Sequence, residues 1–306
     1  MFRKNDLILL AVIFSSMLAG ILLPDFSSIF QPYPLYLMML LLFLSFLPIK
    51  IGSIWNTVRH DCLTVLWISF IKLIMLPVVV YYFFVIFYPS YALAALLLTG
   101  ISTGVVAPFI SSLLNANSIL VLVMVVVSSL LVPFTLPVLV QILEGHNLEI
   151  SFFGMIQMLC MVIFIPVIMV HILRFLTPVL LDGIMKRRFP ISLLIFAIIN
   201  LGVFSKYSSF FFNNPAIIIE ATVISIMLGA IYVMAGIFLE WKSPVSDQVA
   251  ASISFGNMNN VLVIVFSSQF FGPLEPTLAA MYMIPFFGLI LPLRAYQRYR
   301  QQESDT

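Results

Sequence analysis

Long apolar stretches separated by short polar loops limit the fold of this chain more than any other feature. A helix that crosses the hydrocarbon core of a bilayer needs roughly 20 mainly apolar residues, and charges, prolines and asparagines divide the chain into ten such stretches. Charged residues make up only 8% of the sequence and the mean hydropathy is +1.17, so a soluble core could not bury this much apolar surface. The sequence predicts an all-α polytopic membrane protein.

The ten predicted spans follow the polar punctuation. In chain order they are Leu7–Leu23, Tyr33–Pro48, Leu63–Phe87, Tyr91–Leu114, Ser118–Leu143, Phe152–Leu173, Ile191–Phe204, Pro215–Leu239, Val245–Phe271 and Pro276–Leu293. Span 1 follows two basic residues, as a signal peptide does. However, Ala19-Gly20 leads into Leu-Pro-Asp rather than a soluble domain, so we expect it to be uncleaved.

The basic residues give the orientation of the spans. Ten spans place both termini on one side of the membrane, and nearly all the basic residues of the loops and termini fall on that side: Arg3, Lys4, Lys50, Arg59, Arg174, Lys186, Arg187, Arg188, Lys242, Arg294, Arg298 and Arg300. The opposite loops contain Lys206 alone. By the positive-inside rule, we expect an inner (plasma) membrane protein with both termini cytoplasmic.

The two halves of the chain, residues 1–150 and 151–306, repeat one order of features. Spans 3–5 and spans 8–10 each contain a helix with a charged residue, a broken helix and a proline-bearing helix. Five spans per half is an odd number, so the second copy enters the membrane from the other side. The sequence therefore predicts two inverted five-helix repeats, with broken spans 4 and 9 crossing near the midplane.

Polar residues interrupt spans 9 and 4, and polar backbone at this depth survives only inside protein or beside a cavity. The candidate substrate or ion ligands are Ser254, Asn257, Asn259 and Asn260 in span 9 and Ser102, Thr103, Pro108, Ser111 and Ser112 in span 4. Two alternatives remain open. The asparagines are also suited to join helices structurally, and Pro108 to kink span 4.

Three patches of the chain resemble the bile acid:sodium symporter family. They are Ile71-Lys-Leu-Ile-Met-Leu-Pro77; Leu97–Pro133, which includes Gly100 and Ser128-Ser129-Leu-Leu-Val-Pro133; and Ser254–Leu262 with the following Phe270-Phe-Gly-Pro273 and Ala-Ala-Met-Tyr. The third patch contains glycine, two residues and asparagine, as the family signature does. The resemblance implies a core of spans 3–5 and 8–10, a panel of spans 1, 2, 6 and 7, and transport of organic anions with two sodium ions.

The chain departs from the family at the positions that the resemblance assigns to sodium. Ser254 stands in place of an acid, Met258 in place of a glutamine and Ala107-Pro108 in place of a Ser-Asn pair, while Val121 and Val125 replace hydroxyl ligands. Sodium is a hard cation that prefers oxygen ligands. We therefore expect neither a cofactor nor classical two-sodium coupling.

Lys72 stands where the family has a further sodium-contacting glutamine. It lies ten residues into span 3, roughly 15 Å along a helix and near the midplane of a ~30 Å hydrocarbon core. Our hypothesis is that its ammonium group replaces a sodium ion, solvated by asparagine and helix-end carbonyls. Two alternatives are a structural pair with Glu220, which could also be a proton-coupling element, and direct contact with an anionic substrate.

Other classes of function fit the sequence less well. The spans contain no acid pair or HExxH motif, and His171 has no evident serine partner, so we expect no enzyme. A single lysine and scattered asparagines do not form the rings of a channel, and a net charge of +2 does not suggest nucleic acid. Neither Cys62 nor Cys160 lies in a metal-binding motif. The sequence predicts a secondary transporter for a small or amphipathic organic anion; the alternatives are a sodium-coupled symporter of bile-acid type and a transport-inactive scaffold or sensor.

Overall fold

The fold is built almost entirely from helices. The computed structural model describes residues 4–49, 62–145 and 151–305, and no β-strand occurs in these ranges. In chain order the α-helices are α1 Lys4–Leu22, α2 Pro24–Ser27, α3 Pro34–Phe46, α4 Cys62–Phe70, α5 Leu76–Phe87, α6 Ala92–Gly100, α7 Ala107–Leu113, α8 Ser118–Glu144, α9 Phe152–Leu176, α10 Pro178–Lys186, α11 Arg188–Lys206, α12 Ser208–Asn213, α13 Ala216–Leu239, α14 Val245–Gly256, α15 Asn260–Phe270, α16 Leu274–Met281, α17 Met283–Gly288 and α18 Ile290–Asp305. A π-helix, Ile71–Met75, joins α4 to α5. The all-α prediction is confirmed, while Arg3, Lys50 and Arg59 lie outside the described residues.

Six helical stretches in the described ranges are long and apolar enough to cross a membrane, which supports a polytopic membrane protein. They are Leu63–Phe87, Ser118–Glu144, Phe152–Leu176, Arg188–Lys206, Ala216–Leu239 and Leu274–Arg300, and they coincide with predicted spans 3, 5, 6, 7, 8 and 10. The pair Ala11–Leu22 and Pro24–Phe30 counts as a seventh if its bend of 107° lies within one span. Pro34–Phe46 is shorter and spans 4 and 9 are divided, so the total of ten remains a prediction.

The helices pack in two groups. In one group, α1 packs against α11, and α3 packs against both α9 and α11. In the other, α5 packs against α6, α13 against α14 and α16, and α15 against α16, while α8 contacts α7 and α14. The groups meet where α9 packs along α8 and where α15 contacts α3 and α11.

Gly236 allows the closest approach between two of these helices. A Cβ atom at Gly236 in α13 would lie 2.4 Å from the Ser252 Cα atom in α14, closer than real contacts allow. The Ser252 hydroxyl donates to the Val233 carbonyl at 3.1 Å across the same contact. This approach fixes α14, which ends at the polar interruption of span 9.

Candidate functional site

Two interruptions in the helices meet inside the protein. The first break, residues 101–106, separates α6 from α7, and the second break, residues 257–259, separates α14 from α15. Thr103 and Met258 form an antiparallel bridge, in which the Gly104 amide donates to the Asn257 carbonyl at 2.7 Å and the Asn259 amide to the Ser102 carbonyl at 3.0 Å. We call this contact the crossing.

Local sequence explains why each helix stops. Ile101 is extended (φ −78°, ψ 163°), which ends α6 just after Gly100, and Pro108 lies in the first turn of α7, where its missing N–H costs no hydrogen bond. Asn257 (φ −95°, ψ 83°) ends α14 and Asn259 (φ −80°, ψ 72°) precedes α15. Carbonyl ends of α6 and α14 and amide ends of α7 and α15 therefore meet near one point.

Several carbonyl groups at the crossing already have donors from within the protein. The Thr103 hydroxyl donates to the Ser254 carbonyl at 2.8 Å, and the Tyr282 hydroxyl donates to the Gly256 carbonyl at 2.7 Å. The Asn257 carbonyl accepts the Gly104 amide. The sequence hypothesis expected such helix-end carbonyls to solvate Lys72; in this structure these three bind other donors.

The three asparagines of the second break also make contacts within the protein. Asn257 Nδ2 donates to the Phe286 carbonyl at 2.9 Å, and Asn259 Oδ1 caps α15 by accepting the Leu262 amide at 3.3 Å. Asn260 Nδ2 points to Met283 Sδ at 3.4 Å, while its buried Oδ1 has no hydrogen-bond partner among the described residues. In this structure Asn257 and Asn259 thus make structural contacts between and within helices, whereas Asn260 Oδ1 has no partner among the described residues.

Lys72 is buried beside the crossing without a hydrogen-bond partner. Its side chain is 0% exposed, and within the described residues nothing bonds Nζ. The ammonium group lies 5.8 Å from the ring centroid of Phe255, the residue between Ser254 and Gly256. Cation–π attraction offsets part of the cost of burial, but it leaves every N–H donor of the ammonium group without an acceptor.

The helix around Lys72 is irregular. The π-helix Ile71–Met75 contains it, and the Leu76 amide bonds back to the Ile71 carbonyl five residues earlier. Pro77 follows, and because it has no N–H it cannot continue the regular ladder. One-turn π segments are frequent at functional sites, so this irregularity agrees with a special role for the position.

Neighbouring contacts place Lys72 at the height of the first break. Ser69 donates to Met124 Sδ at 3.7 Å on one side of it, and a Cβ at Gly100 would contact Pro77 at 3.8 Å on the other. A Cβ at Gly100 would also lie 2.9 Å from Leu136 Cδ1 in α8. Ser128 lies between Met124 and Leu136 along α8, and its hydroxyl accepts the Thr103 backbone amide at 3.0 Å. Lys72 and the crossing therefore share one layer.

Glu220 is not part of this layer. It is an exposed residue near the start of α13, and its carboxylate accepts a hydrogen bond from the Tyr91 hydroxyl at 3.3 Å. No ion pair joins it to Lys72, whose Nζ has no partner among the described residues. The suggested Lys72–Glu220 pair is therefore wrong for this structure, because Glu220 lies at an exposed helix end.

The polar residues of span 4 divide into two sets. Ser102 and Thr103 are fully buried at the crossing, and Ser102 Oγ has no hydrogen-bond partner in the described part of the chain. Ser111 and Ser112 both donate to the Pro108 carbonyl, at 2.8 and 3.0 Å, and both contact Ser118. These two serines close the turn between α7 and α8 and do not reach the crossing contacts.

A buried tyrosine pair joins the crossing to two further helices. Tyr232 and Tyr282 are 0% exposed, with ring centroids 5.7 Å apart. Tyr232 shares a hydrogen bond of 2.7 Å with Thr99, just before the first break, and Tyr282 bonds Gly256. Sequence reasoning missed all three side chains. The available signal was a tyrosine in mid-span, where its hydroxyl requires a partner, rather than at the membrane interface.

The donor set at the positions that correspond to the family's sodium ligands does not suit sodium. Ser254 Oγ donates to its own helix at Ala250, and Met258, Val121 and Val125 are buried thioether and alkyl groups. No cluster of three or more His, Cys, Asp or Glu residues suited to a metal occurs in the described residues. A hard cation would find few oxygen ligands at these positions.

Comparison of the chain with protein-family models and with curated proteins gives no match. The symporter resemblance therefore depends on the motif residues alone.

Proposed function

We propose that this chain is a secondary transporter that moves a small or amphipathic organic anion by alternating access. The observation that carries the proposal is the crossing: two interrupted helices, bonded through their main chains inside the protein. Discontinuous helices meeting at depth are typical of transporters, because their ends bring polar groups to a solute near the midplane. The Lys72 ammonium, which has no hydrogen-bond partner among the described residues, favours an anionic solute.

The packing pattern supports the inverted repeat. We match each of spans 1–5 with the corresponding span among 6–10. Under this match the α5–α6 contact corresponds to the α13–α14 contact, and the α7–α8 contact corresponds to the α15–α16 contact. In the same way, the α1–α11 contact corresponds to the α3–α9 contact, and the α6–α16 contact corresponds to the α8–α14 contact. The group formed by α1, α3, α9 and α11 corresponds to the panel that the family resemblance implies, and the other group corresponds to the core.

Hydrogen bonds between helix ends support the proposed assignment of loops to the two sides of the membrane. Gln297 bonds the Leu114 carbonyl at 2.7 Å, and the Asn117 amide bonds the Ser246 carbonyl at 3.2 Å, so three proposed cytoplasmic segments meet. At the proposed outer side, Lys206 Nζ donates to the Ser268 carbonyl at 2.9 Å.

Among the buried atoms that have no hydrogen-bond partner in the described residues, four on the breaks or on helices beside them support a polar function near the crossing. They are Lys72 Nζ, Ser102 Oγ, Ser129 Oγ and Asn260 Oδ1. Each buried polar atom left without a partner costs about 1–3 kcal/mol, so a protein retains such atoms at a cost to its stability. Lys72 supplies positive charge in place of a sodium ion while its amine is protonated, and exchange of that proton is the proposed route to proton linkage.

Counterflow in proteoliposomes tests the function. Vesicles containing the purified full-length protein are loaded with unlabelled taurocholate or a small monocarboxylate, and uptake of the labelled compound is measured with and without sodium. A transporter gives faster uptake into loaded than into empty vesicles, because exchange returns the loaded carrier. Equal rates would indicate a channel, and no uptake of any tested anion would indicate a scaffold.

Substitution of Lys72 tests the coupling. We expect sodium-independent counterflow by the native protein and sodium-dependent counterflow by Lys72→Gln, since an amide oxygen restores a sodium ligand. Lys206→Gln removes the same charge at the last residue of α11, away from the crossing, and should leave transport independent of sodium. Unchanged sodium-independent uptake by Lys72→Gln would rule out the sodium-replacement hypothesis, and sodium dependence of the native protein would favour the symporter alternative.

A further inference from the structure

A pocket of about 310 Å³ lies where two helix ends meet the side of a third helix, separate from the residues of the crossing. Its lining comes from the end of α7, the start of α14 and the polar part of α18. The lining residues are Leu113, Leu114, Asn115, Val245, Ser246, Arg294, Gln297 and Arg298. The volume is at the small end of the range for ligand pockets, roughly 300–1,000 Å³, and suits a headgroup-sized molecule.

Hydrogen bonds hold the walls of this pocket together. Gln297 Nε2 donates to the Leu114 carbonyl at 2.7 Å, which fastens α18 to the end of α7. The Asn117 amide donates to the Ser246 carbonyl at 3.2 Å, which fastens the same turn to α14. Asn115 sits in the left-handed region (φ 50°), a conformation that asparagine tolerates at the end of a helix. The pocket is therefore formed before any ligand binds.

Two arginines bring positive charge to the pocket, and no described acid is paired with either of them. Arg294 is half-buried and Arg298 exposed, four residues apart and so on one face of α18. Neither guanidinium group makes a hydrogen bond or ion pair with the described side chains. Two nearby acids are engaged elsewhere, since Asp247 accepts from Asn117 Nδ2 at 2.9 Å and Glu240 accepts from the Ser243 hydroxyl.

The start of α14 adds to the positive potential. Val245 and Ser246 are its first two residues, and no side chain caps this end. The backbone N–H groups of Val245 and Ser246 have no partner within the helix and favour an anion, whereas the Asp247 N–H donates to the Pro244 carbonyl at 2.9 Å. Asp247 in the same turn offsets part of this potential, so the two guanidinium groups supply most of the attraction.

Aromatic side chains near the pocket indicate the depth of the membrane interface. Trp241 and Tyr299 are large exposed side chains, 54% and 61% accessible, and Arg300 lies 5.4 Å from the centroid of the Trp241 ring. Tryptophan and tyrosine collect at the level of lipid headgroups. The pocket therefore lies near side chains of the kind that collect at the level of lipid headgroups.

We propose that this pocket binds a phosphate group, supplied by the headgroup of an acidic phospholipid in the cytoplasmic leaflet. Arginine matches the geometry of phosphate oxygens with paired N–H donors, and basic pockets between membrane helices bind acidic headgroups. Gln297 and Asn115 supply amide groups beside the two arginines. The site is independent of the proposed transport activity.

The test measures lipid binding to the purified full-length protein by native mass spectrometry. Short-chain phosphatidylglycerol is titrated beside phosphatidylcholine of the same chain length, and inorganic phosphate is added as a competitor. We expect one tightly bound phosphatidylglycerol per chain and at least about tenfold weaker binding by the Arg294→Gln/Arg298→Gln variant, because two charge-assisted contacts to the phosphate are lost.

Two further variants separate a defined site from general surface charge. Arg187→Gln/Arg188→Gln removes the same charge elsewhere on the proposed cytoplasmic side and should bind as the native protein does. Ser246→Leu fills the pocket without changing charge and should weaken binding. Displacement by millimolar inorganic phosphate would support the phosphate site but identify a soluble anion as a competing source. Equal loss in both double variants, or no preference for phosphatidylglycerol, would overturn the proposal.

Discussion

A single lysine illustrates how burial and function oppose each other in this protein. Lys72 places an ammonium group against the face of Phe255, with no acceptor among the described residues. A charged side chain at the centre of a bilayer costs at least ~2.5 kcal/mol, so its retention is understandable if the charge is used. Natural proteins often give up stability at functional positions in this way.

Lys72→Met should therefore make the protein more stable and transport-inactive. Methionine keeps the unbranched stem but removes the buried donors, so we expect stabilisation by about 1–3 kcal/mol, the usual cost of a buried group without a partner. Thermal unfolding in detergent measures the stability, and counterflow measures the activity.

Lys206→Met is the matched control. Its ammonium group donates to the Ser268 carbonyl, so the same substitution there should lower stability, by about 1 kcal/mol. Destabilisation by Lys72→Met would mean that Lys72 has a partner that this structure does not contain.

At the scale of the helical elements, the crossing depends on contacts too close for any side chain. A Cβ atom at Gly104 would lie 2.7 Å from the Met258 carbonyl oxygen. The bridge between the two breaks thus requires glycine for space. The asparagines of the second break serve as helix terminators and as partners for neighbouring helices.

Gly104→Ala should separate the two breaks and destabilise the protein by about 1–3 kcal/mol, as overpacking usually does. Gly183→Ala is the control, because a Cβ there meets nothing within 4 Å and the position is helical. We expect no loss of stability in the control, since alanine favours helix. Equal unfolding temperatures for the two variants would show that the bridge is looser than described.

Asn259→Ala should lower the stability of α15 by about 1 kcal/mol, because the cap on the Leu262 amide is lost. Asn259→Ser keeps a capping oxygen and should retain most of the stability. Counterflow of both variants then distinguishes two roles. If serine restores stability and transport, Asn259 is a cap; if it restores stability alone, the amide also contacts the solute.

At the scale of the whole molecule, the helix ends sort into two sets of connected loops. Arg174 in α9 donates to the Leu47 carbonyl at the end of α3, while Ser208 after α11 donates to the Ile21 carbonyl at 2.6 Å. These hydrogen bonds therefore join helix ends that lie far apart in sequence.

Labelling with a membrane-impermeant thiol reagent checks the proposed topology, in which both termini are cytoplasmic. In a background with Cys62 and Cys160 replaced by serine, Asn214→Cys should react in intact cells, whereas Gly183→Cys should react only after permeabilisation. Both positions are exposed, so access depends on the side of the membrane. Labelling of Gly183→Cys in intact cells would contradict the proposed orientation.

The sequence by itself determined the membrane class and the bounds of several long helices. Span 8 was predicted at Pro215–Leu239 and α13 is Ala216–Leu239; span 5 was predicted at Ser118–Leu143 and α8 is Ser118–Glu144. These features are local: apolar length sets a span, and prolines, asparagines and charges end it. Both breaks were likewise visible as clusters of glycine, proline and asparagine in apolar surroundings.

Only the tertiary structure decided which polar groups at the crossing are already bonded. The Ser254 carbonyl binds Thr103, 151 residues earlier, and Gly256 binds Tyr282. A hydrogen bond between residues so far apart depends on how helices pack, which no local pattern encodes. For the same reason the sequence suggested Glu220 as a partner for Lys72, whereas packing places the lysine beside Phe255 with no hydrogen-bond partner among the described residues.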